Sequence, residues 1–494
     1  MEKMKKLTSA ILAMLMLFGC LSGCTGKKSA GITEEDINKC PEDTYEINWF
    51  IMVDNQNDVN SVEEKINEYL KDKINVTVKM NCLPSSQYEQ KLGTMINANE
   101  YFDLCFVARW MLDYVNNSRA GAFFALDEYS DSYMKEAVAG FDPDILDCAK
   151  VDGKLYALPV NKEMATQYGW IYRKDIADKY GIDMTKYKDF ESLMPVLEEI
   201  KSKESDIKYP IDWAKDTTPA ALSGMYEQYI SKDGKYPDTK AMNPYATPEF
   251  EKACKTANVF YKKGLVRPDV LTATDQLQRM KEGKTFVMLQ PLKPGKAKEL
   301  FKDSAYEFEQ AEITDPYIDY LAGTGSMTAV SASSKNPVRT MRFLNLLNSD
   351  PYLKNLVVHG IEGKHYKKID DNTVEPIAGS GYDLYSTSWA IGNVFLDYLT
   401  PQEDPKKNEM LKEFNAKAKQ AKVNKFILPE DDERDRLESE VSKVIKKYKA
   451  QCCMGAVDPE SVLKDFNAEL EKVGFPKLLE EIQKEYDEYL KTVK

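Results

Sequence analysis

The sequence has few of the residues on which metal-dependent and nucleophilic catalysis rely. Only two histidines, His359 and His365, occur in 494 residues, so there is no HExxH motif and little from which to build a zinc site or a histidine-based triad. The acidic stretch 429–440 lacks the DxDxDG loop of a calcium site and is better interpreted as the solvated start of a helix. We therefore predict no catalytic residue, no metal site and no cofactor.

The nine cysteines contain no CxxC spacing, which argues against a zinc ribbon or a redox motif. Cys452 and Cys453 are adjacent, but neighbouring cysteines rarely meet disulfide geometry, so packing is the favoured interpretation. Cys82 and Cys105 lie in strand-like runs and are interpreted as small core hydrophobes. One disulfide stays open as an alternative, because the N-terminus predicts an extracytoplasmic location.

Positive charge and long apolar runs are also scarce. The net charge of −13 argues against nucleic acid or an anionic lipid surface as a partner, since both bind cationic surfaces. After the N-terminal segment, no apolar run approaches the roughly 20 residues that a spanning helix needs. A chain of 494 residues exceeds one comfortable core, which favours two lobes or domains.

The first thirty residues have the parts of a bacterial export signal. Three lysines precede an apolar run of roughly a dozen residues, and Leu21-Ser22-Gly23-Cys24 is similar to a lipobox. We predict a lipoprotein signal peptide over 1–23, diacylation of Cys24 and a flexible tether over 24–44. The protein would then be anchored by lipid at the outer face of the cytoplasmic membrane. An ordinary cleaved signal with incidental cysteines is the alternative.

From residue 45 the hydrophobic pattern alternates between the periods of strand and helix. Strand-like runs cover 45–53, 75–83 and 102–107, and amphipathic helical runs cover 61–74 and 86–97. Strands about thirty residues apart that are joined by helices form a parallel sheet with right-handed crossovers. Helical periodicity dominates the last part of the chain, from about residue 405.

Four stretches, taken in their order along the chain, resemble a known protein family. They are GKLYALPV (153–160), GWIYRKDIADKYGIDMTKYKDFESLMPVLEEIK (169–201), SASSKNPVRTMRFLNLLNSDPYLKNLVVHGIEGKHY (331–366) and AVDPESVLKDFNAELEKVGFPKLLEEIQKEYDEYL (456–490). These stretches and the lipobox resemble extracellular solute-binding proteins of the sugar ABC-importer type, the class that contains maltodextrin-binding protein. The last stretch is similar to an additional helical region found in one lipoprotein subgroup. The resemblance covers nearly the whole chain.

The resemblance implies an α/β fold, periplasmic-binding-protein-like, with two parallel-sheet lobes, hinge crossings and a helical C-terminal region. It places crossings near 158–162, 321–325 and 363–366. The implied division is lobe 1 at 45–158 and 322–362, lobe 2 at 159–321 and 363–404, and a helical region at 405–494 packed on the lobes.

The function implied is that of a monomeric receptor, not an enzyme, which binds a carbohydrate in the inter-lobe cleft and delivers it to ABC permease subunits by hinge closure. Two alternatives remain open from the residues alone. One is a surface glycoside hydrolase, which needs two suitably spaced carboxylates and is not excluded in a chain with 80 acidic residues. The other is an adhesin or sensor that binds without transport.

A sugar presents apolar C–H faces and a rim of hydroxyls, so its site needs aromatic platforms and planar polar groups. Trp49 is interpreted as core, and Trp170 is left open between core and cleft. The candidate ligand-binding residues are Trp110, Trp213, Trp389, Asp54, Asn55, Arg109, Asn161, Glu362 and Asn393.

Overall fold

The computed structural model describes residues 35–319 and 321–492. The predicted signal peptide, the lipidation of Cys24 and the first part of the tether lie outside these residues. No helix within the described ranges is both long enough and apolar enough to cross a membrane.

Two sheets and a group of C-terminal helices organise the described chain. The strands are β1 (Tyr45–Met52), β2 (Val76–Leu83), β3 (Leu104–Val107), β4 (Lys150–Val151), β5 (Lys154–Leu155), β6 (Ala157–Pro159), β7 (Ala165–Arg173), β8 (Tyr226–Glu227), β9 (Ile230–Ser231), β10 (Val287–Leu292), β11 (Phe308–Glu312), β12 (Tyr317–Ile318), β13 (Met327–Val330), β14 (Tyr366–Lys368) and β15 (Val374–Pro376). The helices are α1 (Val59–Ile74), α2 (Ser85–Asn97), α3 (Tyr114–Arg119), α4 (Asp127–Tyr133), α5 (Lys135–Ala139), α6 (Pro143–Ala149), α7 (Lys174–Tyr180), α8 (Phe190–Lys203), α9 (Pro248–Lys262), α10 (Gln276–Lys281), α11 (Lys296–Phe301), α12 (Leu321–Thr324), α13 (Pro337–Ser349), α14 (Pro351–His359), α15 (Lys407–Lys417), α16 (Asp432–Cys453), α17 (Pro459–Lys472) and α18 (Phe475–Thr492).

The first lobe is built on a five-stranded sheet in the order β2-β1-β3-β13-β6. β1 runs parallel to both β2 and β3, which confirms the predicted βαβαβ unit. In β1 the alternating residues Ile47, Trp49 and Ile51 are buried, so the period of two directs them into one core. β13 then pairs antiparallel with β3 and β6, which makes the sheet mixed.

The second lobe contains a sheet in the order β10-β7-β11, with β12 also paired to β7. All three partners of β7 run antiparallel to it, which corrects the expectation of parallel strands in both lobes. The hydrophobic pattern of a strand records which faces are buried and carries no information on direction. Only the short strand–helix–strand spacing of the first lobe carried that information.

The chain passes from the first sheet to the second between Pro159 and Ala165, and it returns between Ile318 and Met327. These segments overlap the first two predicted crossings.

The third crossing was expected at 363–366, but the structure places the following segment on the first lobe. Tyr382, Leu384 and Ile391 belong to the core of that lobe, and the His365 ring lies 2.8 Å from the Asp58 carboxylate. The chain therefore stays with the first lobe past residue 391, and the assignment of 363–404 to lobe 2 is corrected to that extent.

The C-terminal helices α16, α17 and α18 pack mainly on the second lobe. They share a core with α9, in which Cys452 and Cys453 are buried beside Cys254. The seven cysteines that the structure describes are free thiols. Lys425, ahead of these helices, forms an ion pair of 2.6 Å with Asp144 of the first lobe.

The described end of the tether is fixed to the first lobe. The Glu35 carboxylate accepts hydrogen bonds from Arg339 at 2.6 Å and Arg342 at 2.9 Å, both on α13. Although burial raises the pKa of Glu35, these guanidinium groups outweigh it and hold that pKa below its usual value. The expectation of a flexible tether is therefore corrected for residues 35–44, because Glu35, at the start of this stretch, is bound to the first lobe by these ion pairs.

Candidate functional site

Two exposed indole rings lie side by side on the first lobe. The ring centroids of Trp110 and Trp389 are 6.2 Å apart and their planes differ by 33°. Phe106 lies 5.8 Å from each ring. Trp110 is 49% exposed and Trp389 is 37% exposed, unusual values for such large side chains. The three rings form an apolar platform, here called the tryptophan platform.

The platform contacts both inter-lobe crossings. Trp110 follows β3 in a tight turn, and its indole N–H donates to the Gly325 carbonyl at 2.8 Å. The Trp389 carbonyl accepts a hydrogen bond of 2.7 Å from the Ser326 hydroxyl. The Lys162 ammonium, from the other crossing, lies 5.6 Å from the centroid of the Trp389 ring. These contacts place the platform at the hinge, where the cleft of a two-lobe protein has its floor.

A group of charged side chains, most of them partly buried, lies beside the platform. The Lys293 ammonium is 2.9 Å from both the Glu163 and the Glu299 carboxylates. Burial lowers the pKa of Lys162. Burial alone would raise the pKa of Glu163, but Lys293 and Lys162 bring it below its usual value. Ionised groups held in this way are strong hydrogen-bonding partners for hydroxyls.

A charge contact joins the lobes next to the platform. The Arg109 guanidinium lies 4.0 Å from the Glu227 carboxylate of β8, in the second lobe. Burial raises the pKa of Glu227 to about 7, with Lys232 and Arg109 opposing it only in part. Glu227 therefore titrates near neutral pH, and its attraction to Arg109 depends on pH in that range.

Beyond Glu227 lies a cavity of about 800 Å³ between the second lobe and α16. This volume is in the range of small-molecule sites. Five of its lining side chains are tyrosines: Tyr168, Tyr226, Tyr229, Tyr245 and Tyr317.

Three buried polar atoms around this cavity have no hydrogen-bond partner among the described residues: Thr218 Oγ1, Tyr226 Oη and Gln228 Oε1. Such atoms are costly to leave unsatisfied, so the cavity suits a ligand rich in hydroxyl groups. None of these residues is among the candidates predicted from the sequence. The tyrosines and polar groups at 226–245 were the available signal.

Three other predicted residues also lie near the hinge or the platform. Arg109 adjoins Trp110, while Asn161 and Asn393 are joined by a backbone bridge close to Trp389. The Asn161 amide donates to the Gly140 carbonyl at 2.9 Å, and the Asn393 amide donates to the Asn348 carbonyl at 3.1 Å. Their side chains thus hold the backbone of this region in place.

Asp54, Asn55 and Glu362 are exposed loop residues of the first lobe. The loop of Asp54 and Asn55 accepts a hydrogen bond of 2.9 Å at Gln56 Oε1 from the Asp383 amide N–H, and Lys364, two residues after Glu362, forms an ion pair of 2.5 Å with Asp58. Asp54, Asn55 and Glu362 form a rim of the first lobe, here called the polar rim.

Trp213 does not join the site, which corrects the expectation that it faces a solute. Its side chain is 0% exposed and packs 5.9 Å from Phe190 and 5.8 Å from Phe260, measured between ring centroids. Trp170 is buried in the same core, and its N–H donates to the Tyr187 carbonyl at 2.7 Å. Trp49 is a core residue of the first lobe, as interpreted from the sequence.

Metal ligation has no evident place in the described ranges. No group of three or more histidine, cysteine, aspartate or glutamate residues there could hold a metal ion.

Known proteins match the chain over most of its length. The family model of the bacterial extracellular solute-binding proteins matches residues 64–359, more than half of the chain. A second model, of a domain of unknown function, matches residues 438–491. A carbohydrate ABC transporter substrate-binding protein of Streptococcus pneumoniae serotype 4 is 26% identical, and the match covers 100% of both chains.

Solved structures agree with this result. The N-glycan transport solute-binding protein of Streptococcus pneumoniae is 25% identical, has a TM-score of 0.79, and is matched over 91% of this chain and 100% of its own. Its complex with Man5GlcNAc has a TM-score of 0.65 at 26% identity, with 91% of this chain and 99% of the other covered. The predicted two-lobe α/β fold is confirmed by these likenesses. The chain belongs to the bacterial extracellular solute-binding proteins.

Proposed function

We propose that this protein is the carbohydrate-binding receptor of an ABC importer, which takes an oligosaccharide between its lobes and delivers it to a membrane permease by hinge closure. The observation that carries the proposal is the exposed pair Trp110 and Trp389 at the hinge. Indole faces stack on the C–H faces of sugar rings, and the nearby Lys162, Glu163 and Arg109 offer charged groups to hydroxyls.

The relatives support a carbohydrate as the solute. One is named as a carbohydrate transporter component, and another was solved with Man1GlcNAc and with Man5GlcNAc. This chain has a TM-score of 0.79 with the structure of that relative for which no ligand is named, and of 0.69 and 0.65 with the two glycan complexes. The three structures are of the same relative, so the difference between their TM-scores does not come from a difference in sequence. It favours a change in the arrangement of the lobes on ligand binding.

Calorimetry with the chain from Lys27 onward tests the proposal. We expect binding of mannose-containing oligosaccharides, a loss of affinity of tenfold or more in Trp110→Ala and Trp389→Ala, and no change in Tyr352→Ala. Tyr352 is an exposed aromatic residue on α14 and is the matched control. Absence of carbohydrate binding, or equal affinities in all three variants, would contradict the proposal.

Hinge closure and the absence of catalysis have their own measurements. Small-angle scattering is expected to show a smaller radius of gyration with saturating ligand than without it. Prolonged incubation with the bound oligosaccharide is expected to return it intact. Release of shorter sugars would instead favour a glycoside hydrolase.

We further propose that Cys24 carries the lipid anchor. Glu35 is bound to α13 of the first lobe, and eleven residue steps separate it from Cys24. The length of this segment then limits the distance of the first lobe from the membrane. At about 3.5 Å per fully extended residue, the span is at most about 40 Å. The first lobe would be the end held near the permease. Cys24→Ser is expected to lose metabolic labelling by palmitate and to appear in the culture medium, whereas Cys40→Ser retains the label.

A further inference from the structure

We propose that the C-terminal helical region is part of the solute-binding machinery, with α16 forming one wall of the cavity and selecting which oligosaccharide is bound. This inference rests on the proposed carbohydrate function and assigns a task to the region that includes residues 438–491. Without it, these helices would only pack against the second lobe.

One face of α16 lines the cavity. Asp435, Glu438, Ser439, Ser442 and Lys449 of this helix are lining residues, at spacings of three, four and seven positions that share one side of a helix. The buried residues Val441 and Val444 lie on another side and belong to the core formed with α17 and α18. The helix therefore presents carboxylates, hydroxyls and an ammonium group to the cavity while its apolar side holds it in place.

The opposite wall indicates what the cavity receives. It carries the unpartnered polar atoms of Thr218, Tyr226 and Gln228, together with Tyr245 and Tyr168. The side chains of Gln228 and Tyr226 line the cavity, and once they turn toward a ligand, sugar hydroxyls can donate to the Gln228 carbonyl oxygen and accept from the Tyr226 hydroxyl. A hydroxyl-rich ligand between the two walls would satisfy atoms that neither the second lobe nor α16 satisfies.

The wall is attached to the second lobe by hydrogen bonds and by a close approach of two backbone segments. The Asn258 amide of α9 donates to the Gly455 carbonyl at 2.8 Å and to the Val457 carbonyl at 3.1 Å, just after α16 ends. Gly455 has a φ of +86°, and a Cβ there would lie 2.3 Å from the Ala257 carbonyl oxygen, so only glycine allows this approach. The α16 wall therefore moves with the second lobe, and a ligand in the cavity is carried with it when the hinge closes.

Narrowing the cavity from the α16 side tests the inference. Ser439→Trp adds a large ring at the lining face, whereas Arg436→Trp places the same ring at an exposed position of the same helix outside the lining. Calorimetry with a mannose–N-acetylglucosamine disaccharide and with the larger Man5GlcNAc gives the affinity of each variant for each sugar. We expect Ser439→Trp to weaken at least one sugar tenfold or more and to change the ratio of the two affinities at least fivefold. Arg436→Trp should stay within twofold of wild type for both.

The outcomes separate this inference from the proposed function. If wild type binds sugar and Trp110→Ala weakens it while Ser439→Trp does not, the role of α16 is wrong and the receptor function stands. If wild type binds no carbohydrate, both are wrong. Circular dichroism and the melting temperature check folding of Ser439→Trp. If that variant is unfolded, the conservative pair Glu438→Gln and Ser442→Ala replaces it, and unchanged affinities and ratio in both would overturn the inference.

Discussion

The two lobes use tryptophan in opposite ways. In the first lobe, Trp110 and Trp389 lie at the hinge with a large part of each ring exposed, and both are joined to the crossing segments by hydrogen bonds. In the second lobe, Trp170 and Trp213 are fully buried among phenylalanine rings. The same residue type therefore supplies a binding face in one lobe and the centre of the core in the other.

The second lobe offers a ligand different chemical groups. Toward the cleft and the cavity it presents tyrosines, the buried Glu227 and polar atoms without partners, instead of exposed indoles. One lobe thus offers an apolar stacking surface and the other offers hydrogen bonds. A sugar has an apolar face and a polar edge, so two lobes of this kind can each take one side of the same ring.

The largest effect is expected from the core tryptophan of the second lobe. Trp213→Ala removes a fully buried ring that packs between Phe190 and Phe260, and it should lower the free energy of unfolding by about 3–5 kcal/mol. Trp389→Ala, at a half-exposed position, should lower it by less than about 1 kcal/mol. Urea denaturation measures both. Equal losses would contradict the division of the tryptophans into core and surface.

The next largest effect on stability is expected from Glu227, which contacts Arg109 of the first lobe. Burial raises the pKa of Glu227 to about 7, whereas the unfolded chain has the usual value near 4.5. An acid whose pKa is higher in the folded protein holds its proton more tightly there, so stability falls as pH rises from about 4.5 to about 7. Relative to Glu227→Gln, wild type should lose about 2 kcal/mol of unfolding free energy between pH 5 and pH 8.

The control for this pH effect is Glu307→Gln, an exposed carboxylate in the same lobe. It should leave the pH dependence of unfolding as in wild type. If Glu227→Gln has the same pH dependence as wild type, the carboxylate does not have a raised pKa in the folded protein.

The difference between the lobes also explains what the sequence could predict. The βαβαβ spacing of the first lobe gave both its strands and their direction, because short crossovers permit only parallel pairing. In the second lobe, β10 and β11 reach β7 through long connections, so no comparable spacing indicates the direction of its strands. The third crossing was placed at 363–366 only on the resemblance to the family, and the local pattern there does not tell which core the later Tyr382 enters.

The site, like the fold, was predictable only in part. Trp110 was chosen because it follows a strand of the parallel sheet, where ligands bind, and the structure places it at the hinge. Trp213 was also chosen as a tryptophan in a loop. It is buried because Phe190 and Phe260, which lie far from it in the sequence, pack against its ring. The cavity was missed because its walls come from segments near 168, 226, 317 and 439, which only the folded chain brings together.

A smaller effect, on affinity and not on stability, is expected from the platform. Trp110→Ala should weaken oligosaccharide binding by about 1.4 kcal/mol or more, which is about tenfold or more, because an exposed aromatic anchor is lost. Trp110→Phe keeps a ring but loses the N–H that donates to Gly325, so it should recover part of the affinity. Calorimetry at constant salt gives both values. Affinity in Trp110→Phe as low as in Trp110→Ala would assign the effect to the hydrogen bond at the crossing and not to stacking.

The smallest effect should come from the polar rim of the first lobe, and it tests how far the binding face extends from the hinge. Asn55 and Glu362 are exposed, so a hydrogen bond from either to a sugar replaces one to water and contributes about 0.5 kcal/mol. Asn55→Ala and Glu362→Ala should each weaken a long oligosaccharide by two- to threefold and leave a disaccharide unaffected, because only the longer sugar reaches from the platform to the rim. Titration of both variants with sugars of increasing length measures this dependence. Equal effects on short and long sugars would instead place the rim next to the platform in the bound protein, and the first lobe would then close around its ligand as one continuous face.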